Sequence, residues 1–398
     1  MLKFKDYLIE EAESDGKLKH ITHPEDRPLM HGASGFNRAY GSLSQAHNTM
    51  VSGKQTNSLT MKYDGSPAVV FGHHPETGKF FVATKSAFNK NPKLNYTNKD
   101  IEANHGHAPG LVSKLKAALA HLPKVAPKTG VYQGDIMFSG DDVHHDKNMG
   151  TSTFRANTIT YTAKGAQAKK IAKAKLGVVV HTQYKGKTLE TMRADHNVNH
   201  SDFGNHPDVY HHDASHDTGK ISYPKSEQKV FQQHLDKAKE IHDKNPTMYR
   251  NIHPNHSGDA GLLSTYINST IRRDTTPTVE GFKKHVSTYY ENKASKVKTD
   301  KGKAVHTNEG NSQVEHIERN KEHYKNALEV HNHLAKAKNV LVKHLETHEG
   351  GYEHRIGDNL SKPEGFVVHH RSVGVTMPDK LVNRSEFAKA NLLKTAKG

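Results

Sequence analysis

The 398-residue chain carries 57 lysines and arginines against 42 aspartates and glutamates, a formal charge of +15, with 33 histidines and no cysteine. That composition excludes a disulfide framework and a thiolate zinc site, and no run of apolar residues is long enough for a membrane-spanning helix. At 33% hydrophobic and 25% charged residues, the sequence reads as a soluble, polar chain of two or three domains. Its positive field favours phosphate-rich partners through neutralisation and counterion release.

Residues 1–13, MLKFKDYLIEEAE, pattern as a short amphipathic helix that Asp15-Gly16 ends. This opening resembles the capsid-targeting peptides of internal head proteins in T4-like phages, and Leu8-Ile9-Glu10 resembles the site cut by phage prohead proteases. The resemblance implies a cleavable peptide over residues 1–10; the same residues also read as a plain N-terminal helix. Phe36, Tyr40, Leu43, Ala46 and Met50 follow at near-helical spacing, predicting a helix over 34–50 with one buried face.

Leu59, Met61 and Tyr63 alternate as in a strand, and Ala68–Phe71 begins a second one. FFVATK at 80–85 returns as a third. A helix is expected at 110–122, ending at Pro123. Strands are expected at 130–138 (broken by a glycine), 158–163 and 176–184. The His/Asp-rich stretch 195–219 has few apolar anchors and reads as a loop; its histidines lack a metal-binding spacing. Helices dominate from 225 to 349, with Phe231, Leu235, Ala238 and Ile241 on one face, a basic linker at 299–312, and a long helix at 312–347. Strand character resumes at 365–370 and 381–382.

Within this order lies Lys62-Tyr63-Asp64-Gly65. A lysine at a strand end, beside a carboxylate and a glycine, can attack phosphorus once its amine is free. Alone, the four residues equally describe a surface lysine before an Asp-Gly turn. They are followed by Thr84-Lys85-Ser86, by Tyr132-Gln133-Gly134-Asp135, by the apolar strand 176–184, by Glu364-Gly365-Phe366-Val367-Val368, and by Lys380. This succession resembles the covalent nucleotidyltransferase superfamily of ATP-dependent polynucleotide ligases and RNA capping enzymes, over about 59–184 and 361–391. Within it the chain looks most like phage RNA ligases.

The resemblance implies an α+β fold: an ATP-grasp-like ligase core of antiparallel sheets with a helical insertion domain. The expected plan is N-terminal helices at 1–50, core at 51–224, a basic helical insertion at 225–350 and final core strands at 351–398. It also implies roles. Lys62 would be the nucleophile that takes AMP from ATP, and Lys380 would offset charge on the α-phosphate. Asp64 and Gly65 would shape the turn under the nucleotide, Lys85 would contact phosphate, and Asp135 would lie near the ribose. Glu364 would organise Mg²⁺ or Mn²⁺. The implied activity joins 5′-phosphate to 3′-hydroxyl ends, on RNA in preference to DNA, in the host cytoplasm or the virion interior.

Several positions depart from the family pattern. Pro378 and Val382 flank Lys380 where two lysines are usual. The strand 176–184 lacks its central aromatic, leaving His181 or Tyr184 as substitutes. Thr60 replaces an acid that reads adenine, and the eighteen residues after Lys380 leave no room for an oligonucleotide-binding barrel. Lys237, Lys239, Lys283, Lys284, Lys296 and Lys298 in the insertion are expected to face solvent and to track a phosphate backbone. Two other readings stand beside the RNA ligase: an internal head protein that binds packaged nucleic acid with an inactive ligase-like core, and an ATP-dependent DNA ligase or guanylyl-transferring relative.

Overall fold

A computed structural model describes residues 21–54, 58–258, 261–348, 350–372 and 375–384. The peptide reading of residues 1–10 lies outside the described residues. The chain divides into two compact units, one of Met1–Ile21, Ser52–Ile221 and Leu345–Pro378, the other of Thr22–Val51, Ser222–His344 and Asp379–Gly398. The fold is α+β, and among the described ladders all but one are antiparallel. None of the described helices is long and apolar enough to cross a membrane.

Among its described residues the first unit holds three sheets. One has the order β1 (Leu59–Lys62), β13 (Gly365–Ser372), β14 (Val375–Leu381), the last strand running on into residues of the second unit. Another runs β10 (Val209–Asp213), β8 (Leu176–Lys185), β4 (Val131–Ser139), β2 (Ala68–His73), β3 (Phe80–Ala83), with β9 (Arg193–Asp195) beside β8. The remaining sheet runs β12 (Asn359–Ser361), β11 (Tyr352–Ile356), β7 (Thr160–Lys164), β6 (Thr151–Arg155), β5 (Val143–Asp146). Strand β2 is buried on both faces: Val69 and Phe71 pack with Leu115 and Leu122, while Val70 packs with Phe81 and Tyr184. Its continuous apolar run therefore reflects two cores rather than one.

Three expectations are revised. The glycine in β4 does not break the strand. A bulge at Gln133/Gly134 absorbs it, and a Cβ on Gly134 would stand 2.5 Å from the Val179 carbonyl oxygen. The stretch 195–219 is not all loop, because β10 pairs in parallel with β8, Val209 opposite Leu176. The expected linker at 299–312 is helical.

That helix, α8 (Asp300–Arg319), starts at Thr299, whose side chain accepts from the Gly302 amide. Its Gly310 lets Tyr290 of α7 (Val279–Ser295) approach: a Cβ there would meet Tyr290 Cβ at 2.8 Å. The long helix begins only after Asn320, as α9 (Lys321–Leu345). The helical unit also includes α1 (Arg27–Ser52) up to Val51, bent at Gly32 where φ is +61°, and α5 (Lys225–Lys244), whose Phe231, Leu235, Ala238 and Ile241 are buried as spaced. Helix α6 (Leu262–Arg272) completes its described helices. The first unit has α2 (Asn98–His105), α3 (Pro109–His121) and α4 (Gly165–Lys173).

Histidines serve as core side chains. His354 is 1% exposed, lies edge-on to Tyr161, and leaves both ring nitrogens without a hydrogen-bond partner. Burial holds its imidazole down at about 4. The unfolded chain takes up that proton near 6.5, so between these values the unfolded state binds more protons and stability falls with pH. Urea unfolding from pH 7 to pH 4 should show this fall, and His354→Phe should reduce it by about 1 kcal/mol per pH unit. An unchanged pH slope in the variant would refute the assignment.

Candidate active site

The site grows from the end of β1. Leu59, Met61 and Tyr63 are buried and alternate with Thr60 and Lys62, so period-2 geometry sends the lysine to the other face. In the β1–β13 ladder Lys62 lies opposite Gly365. The adjacent Glu364 forms an ion pair with Lys62 through Oε1, and its Oε2 is buried without a hydrogen-bond partner. Lys62 is 29% exposed and Glu364 13%. Burial raises the Glu364 pKa, with Asp64 and Asp135 adding to the rise and Lys62 opposing it.

Asp64 is committed to a turn. Its Oδ2 accepts from the amides of Thr158 (2.6 Å) and Ile159 (2.9 Å), and its Oδ1 from Asn157 Nδ2 (3.0 Å). Its own N–H donates to Tyr161 Oη at 2.8 Å. The carboxylate thus holds the β6–β7 connection against the lysine strand. Gly65 then passes close over β4: a Cβ there would stand 2.6 Å from Asp135 Cβ and 3.1 Å from the Ile136 carbonyl oxygen. Ser66 N–H donates to that carbonyl at 2.9 Å, and Ile136 N–H to the Pro67 carbonyl at 3.1 Å.

Asp135, partly exposed on β4 opposite Ala68, faces His181 Nε2 of β8 at 3.6 Å. Tyr184 is instead consumed in the core, its hydroxyl donating to Gln133 Oε1 at 2.6 Å. Of the two rings considered for β8, His181 is therefore the one beside a site residue. Lys85 is exposed in a single turn after β3. Because Val70 lies opposite Ala83, that turn is at the end of β2 where Ser66 and Pro67 stand. Lys380 belongs to the second unit, and its N–H donates to the Thr22 carbonyl at 2.9 Å. The structure brings together Lys62, Asp64, Gly65, Asp135 and Glu364, with Lys85 at the same sheet end.

One family matches the sequence over residues 18–397, described as "Family of unknown function (DUF6267)". The chain belongs to this family. Neither the curated proteins nor the solved structures include a match to this DUF6267 chain.

Sequence reasoning missed two supports of the site. Lys114 of α3 donates from Nζ to the Ser66 carbonyl at 2.7 Å, and the 157–159 turn clamps Asp64. Neither carries a motif: one is a lysine on an amphipathic helix, the other acts chiefly through backbone. Asp64→Ala leaves two amides without their acceptor, each costing about 1–3 kcal/mol. Urea unfolding should show a loss of about 2–4 kcal/mol, and a loss below 0.5 kcal/mol would contradict the clamp.

Proposed function

We propose that the chain is an ATP-dependent polynucleotide ligase of the covalent nucleotidyltransferase kind, acting through a lysyl–AMP on Lys62. The observation that carries this reading is the Lys62–Glu364 pair across the β1–β13 ladder, with Gly65 packed on Asp135. Residues more than three hundred positions apart thereby meet at one strand end, in the order the resemblance assigns them.

The chemistry runs in three steps. Lys62 Nζ must give up a proton before it attacks, and its partial exposure leaves water within reach to take it. The free amine attacks the α-phosphorus of ATP; the N–P bond forms as the P–O bond to pyrophosphate breaks. The 5′-phosphate of a nucleic-acid end then displaces Lys62 and takes the AMP. A 3′-hydroxyl next attacks that activated phosphate and loses its proton to solvent, forming the phosphodiester and releasing AMP. Glu364 restrains Lys62 in the resting state, Asp64 fixes the strand end, and Asp135 stands where a ribose hydroxyl is expected.

The donor set fits a divalent cation. Magnesium is usually held by one or two carboxylates together with substrate phosphates, and Glu364 Oε2 is a buried oxygen with no other partner. Among the described residues no group of three or more histidines or acids forms a self-sufficient metal cage. A cation held there would neutralise phosphate charge and compete with Lys62 for the carboxylate, favouring the free amine.

Incubation with α-labelled ATP and Mg²⁺, followed by denaturing electrophoresis, tests the reading. Wild type should retain an acid-labile label that Lys62→Ala abolishes. Equal labelling of both proteins, or none on wild type, would overturn it and leave the inactive-core reading. Glu364→Gln should keep the fold but lower adduct formation at least a hundredfold, since one of the cation's few oxygen ligands loses its charge. Unchanged labelling across a magnesium titration would remove Glu364 from the site.

A further inference from the structure

A cavity of about 530 Å³ lies in the first unit, beside β10 and along α4. Gln167, Lys170 and Lys173 line it from the helix, and His206, Tyr210 and His211 from the segment that ends in β10. Ala168 and Ile171 are buried on the opposite side of α4, so Lys170 and Lys173, three residues apart, share the exposed face. Both lysines are exposed, and among the described residues neither forms an ion pair. The bordering carboxylate, Asp208, is already engaged by Lys124 at 2.6 Å and Lys175 at 3.5 Å. The cleft is therefore cationic, and no acid is among the described residues that line it.

Its ring-bearing wall is fixed. Gln167 Nε2 donates to Tyr210 Oη at 3.0 Å, Tyr352 Oη donates to the same oxygen at 3.1 Å, and His211 stacks on Phe203 at 4.4 Å. Of the six helical lysines expected to track a phosphate backbone, three are already paired. Lys237 is paired with Glu240, Lys239 with Asp243, and Lys283 with both Glu280 and Glu318.

We propose that this cleft binds a single-stranded nucleic acid, with Lys170 and Lys173 on successive phosphates and Tyr210 and His206 against sugar or base. The volume exceeds what a lone phosphate needs, and a basic groove with ring-bearing walls is the chemistry that holds a strand without reading its sequence. An acidic peptide would satisfy the lysines but would leave the His206 ring without a flat partner. The choice of a nucleic acid rests on the ligase reading; the anion site itself does not.

Fluorescence anisotropy with a fluorescein-labelled twelve-nucleotide RNA, at 50–200 mM salt, tests the proposal. Lys170→Glu/Lys173→Glu should weaken binding at least tenfold and reduce the salt slope by about one to one and a half units, the value for two single-strand phosphate contacts. Lys284→Glu/Lys298→Glu makes the same charge change at exposed lysines of the helical unit and should weaken binding less than threefold. Equal losses in the two pairs, or none in the first, would overturn the site. Polyglutamate of equal charge that displaces the RNA as well as unlabelled RNA does would overturn the choice of ligand. Lys170→Gln/Lys173→Gln, with a urea unfolding curve matching wild type, should show the same direction and guards against a folding defect. The ATP adduct should persist in the first pair, and its selective loss there would assign the cleft to ATP instead. Absence of the adduct in every protein, with lysine-dependent binding intact, would sink the ligase reading and leave the cleft standing.

Discussion

The carboxylate of Asp64 and the stretch around it tie the three sheets of the first unit together. Leu59–Lys62 belongs to the β1–β13 ladder, Asp64 grips the turn between β6 and β7, and Ser66-Pro67 exchanges backbone hydrogen bonds with Ile136 on β4. Lys62 lies inside this stretch, so its position is set from three directions. A nucleophile benefits from that, because an error of about 1 Å in approach can cost two orders of magnitude in rate. Gly65 is what permits it: any side chain there would push β4 and the lysine strand apart.

The electrostatics of the same region are uneasy. Glu364 is desolvated, lies within the influence of Asp64 and Asp135, and has one cation against it. A pair of this kind contributes little net stability, since desolvation offsets most of the attraction. Asp64 is relieved by three donors, but Glu364 Oε2 has none. A fold under selection for stability alone would replace that carboxylate with an apolar residue. Glu364 Oε2, at the end of the lysine strand, is thus a buried anionic oxygen with room in its coordination for a further positive charge.

Much of this layout was legible. The alternation around Lys62, the apolar β2 and β8 and the α5 stripe all emerged as spaced, because each buries ordinary aliphatic or aromatic side chains. Strand β10 did not, because its half-buried side chains are Tyr210, His211 and His212, which pack by ring contacts rather than by aliphatic burial. Helix α8 was hidden for a related reason: its buried residues are Gly310, Gln313 and Ile317, too few and too polar for an amphipathic signal. The clamp on Asp64 left no trace because backbone amides supply two of its three bonds. That residues 22–51 group with the helices at 222–344 rests on tertiary contacts such as His331 Nε2 to Asp26 Oδ1, 3.1 Å, and His47 Nδ1 to Tyr223 Oη, 3.0 Å, which no local pattern announces.

The histidines complete the argument about Lys62. In a chain without cysteine or tryptophan, they act as small aromatic side chains, and two of them hold the lysine strand on either side of Lys62. Thr60 Oγ1 bonds His369 Nε2 at 3.1 Å, and Tyr63 Oη bonds His212 Nε2 at 2.6 Å. Desolvation keeps His212 down at about 4 and His369 well below its ordinary value. Both contacts are therefore built for neutral imidazoles, and protonation of either would place an unpaired cation next to β1. Since Thr60 and Tyr63 bracket Lys62, the strand that carries this lysine is also where acid strains the fold. The geometry that fixes Lys62 thus depends on keeping these rings uncharged.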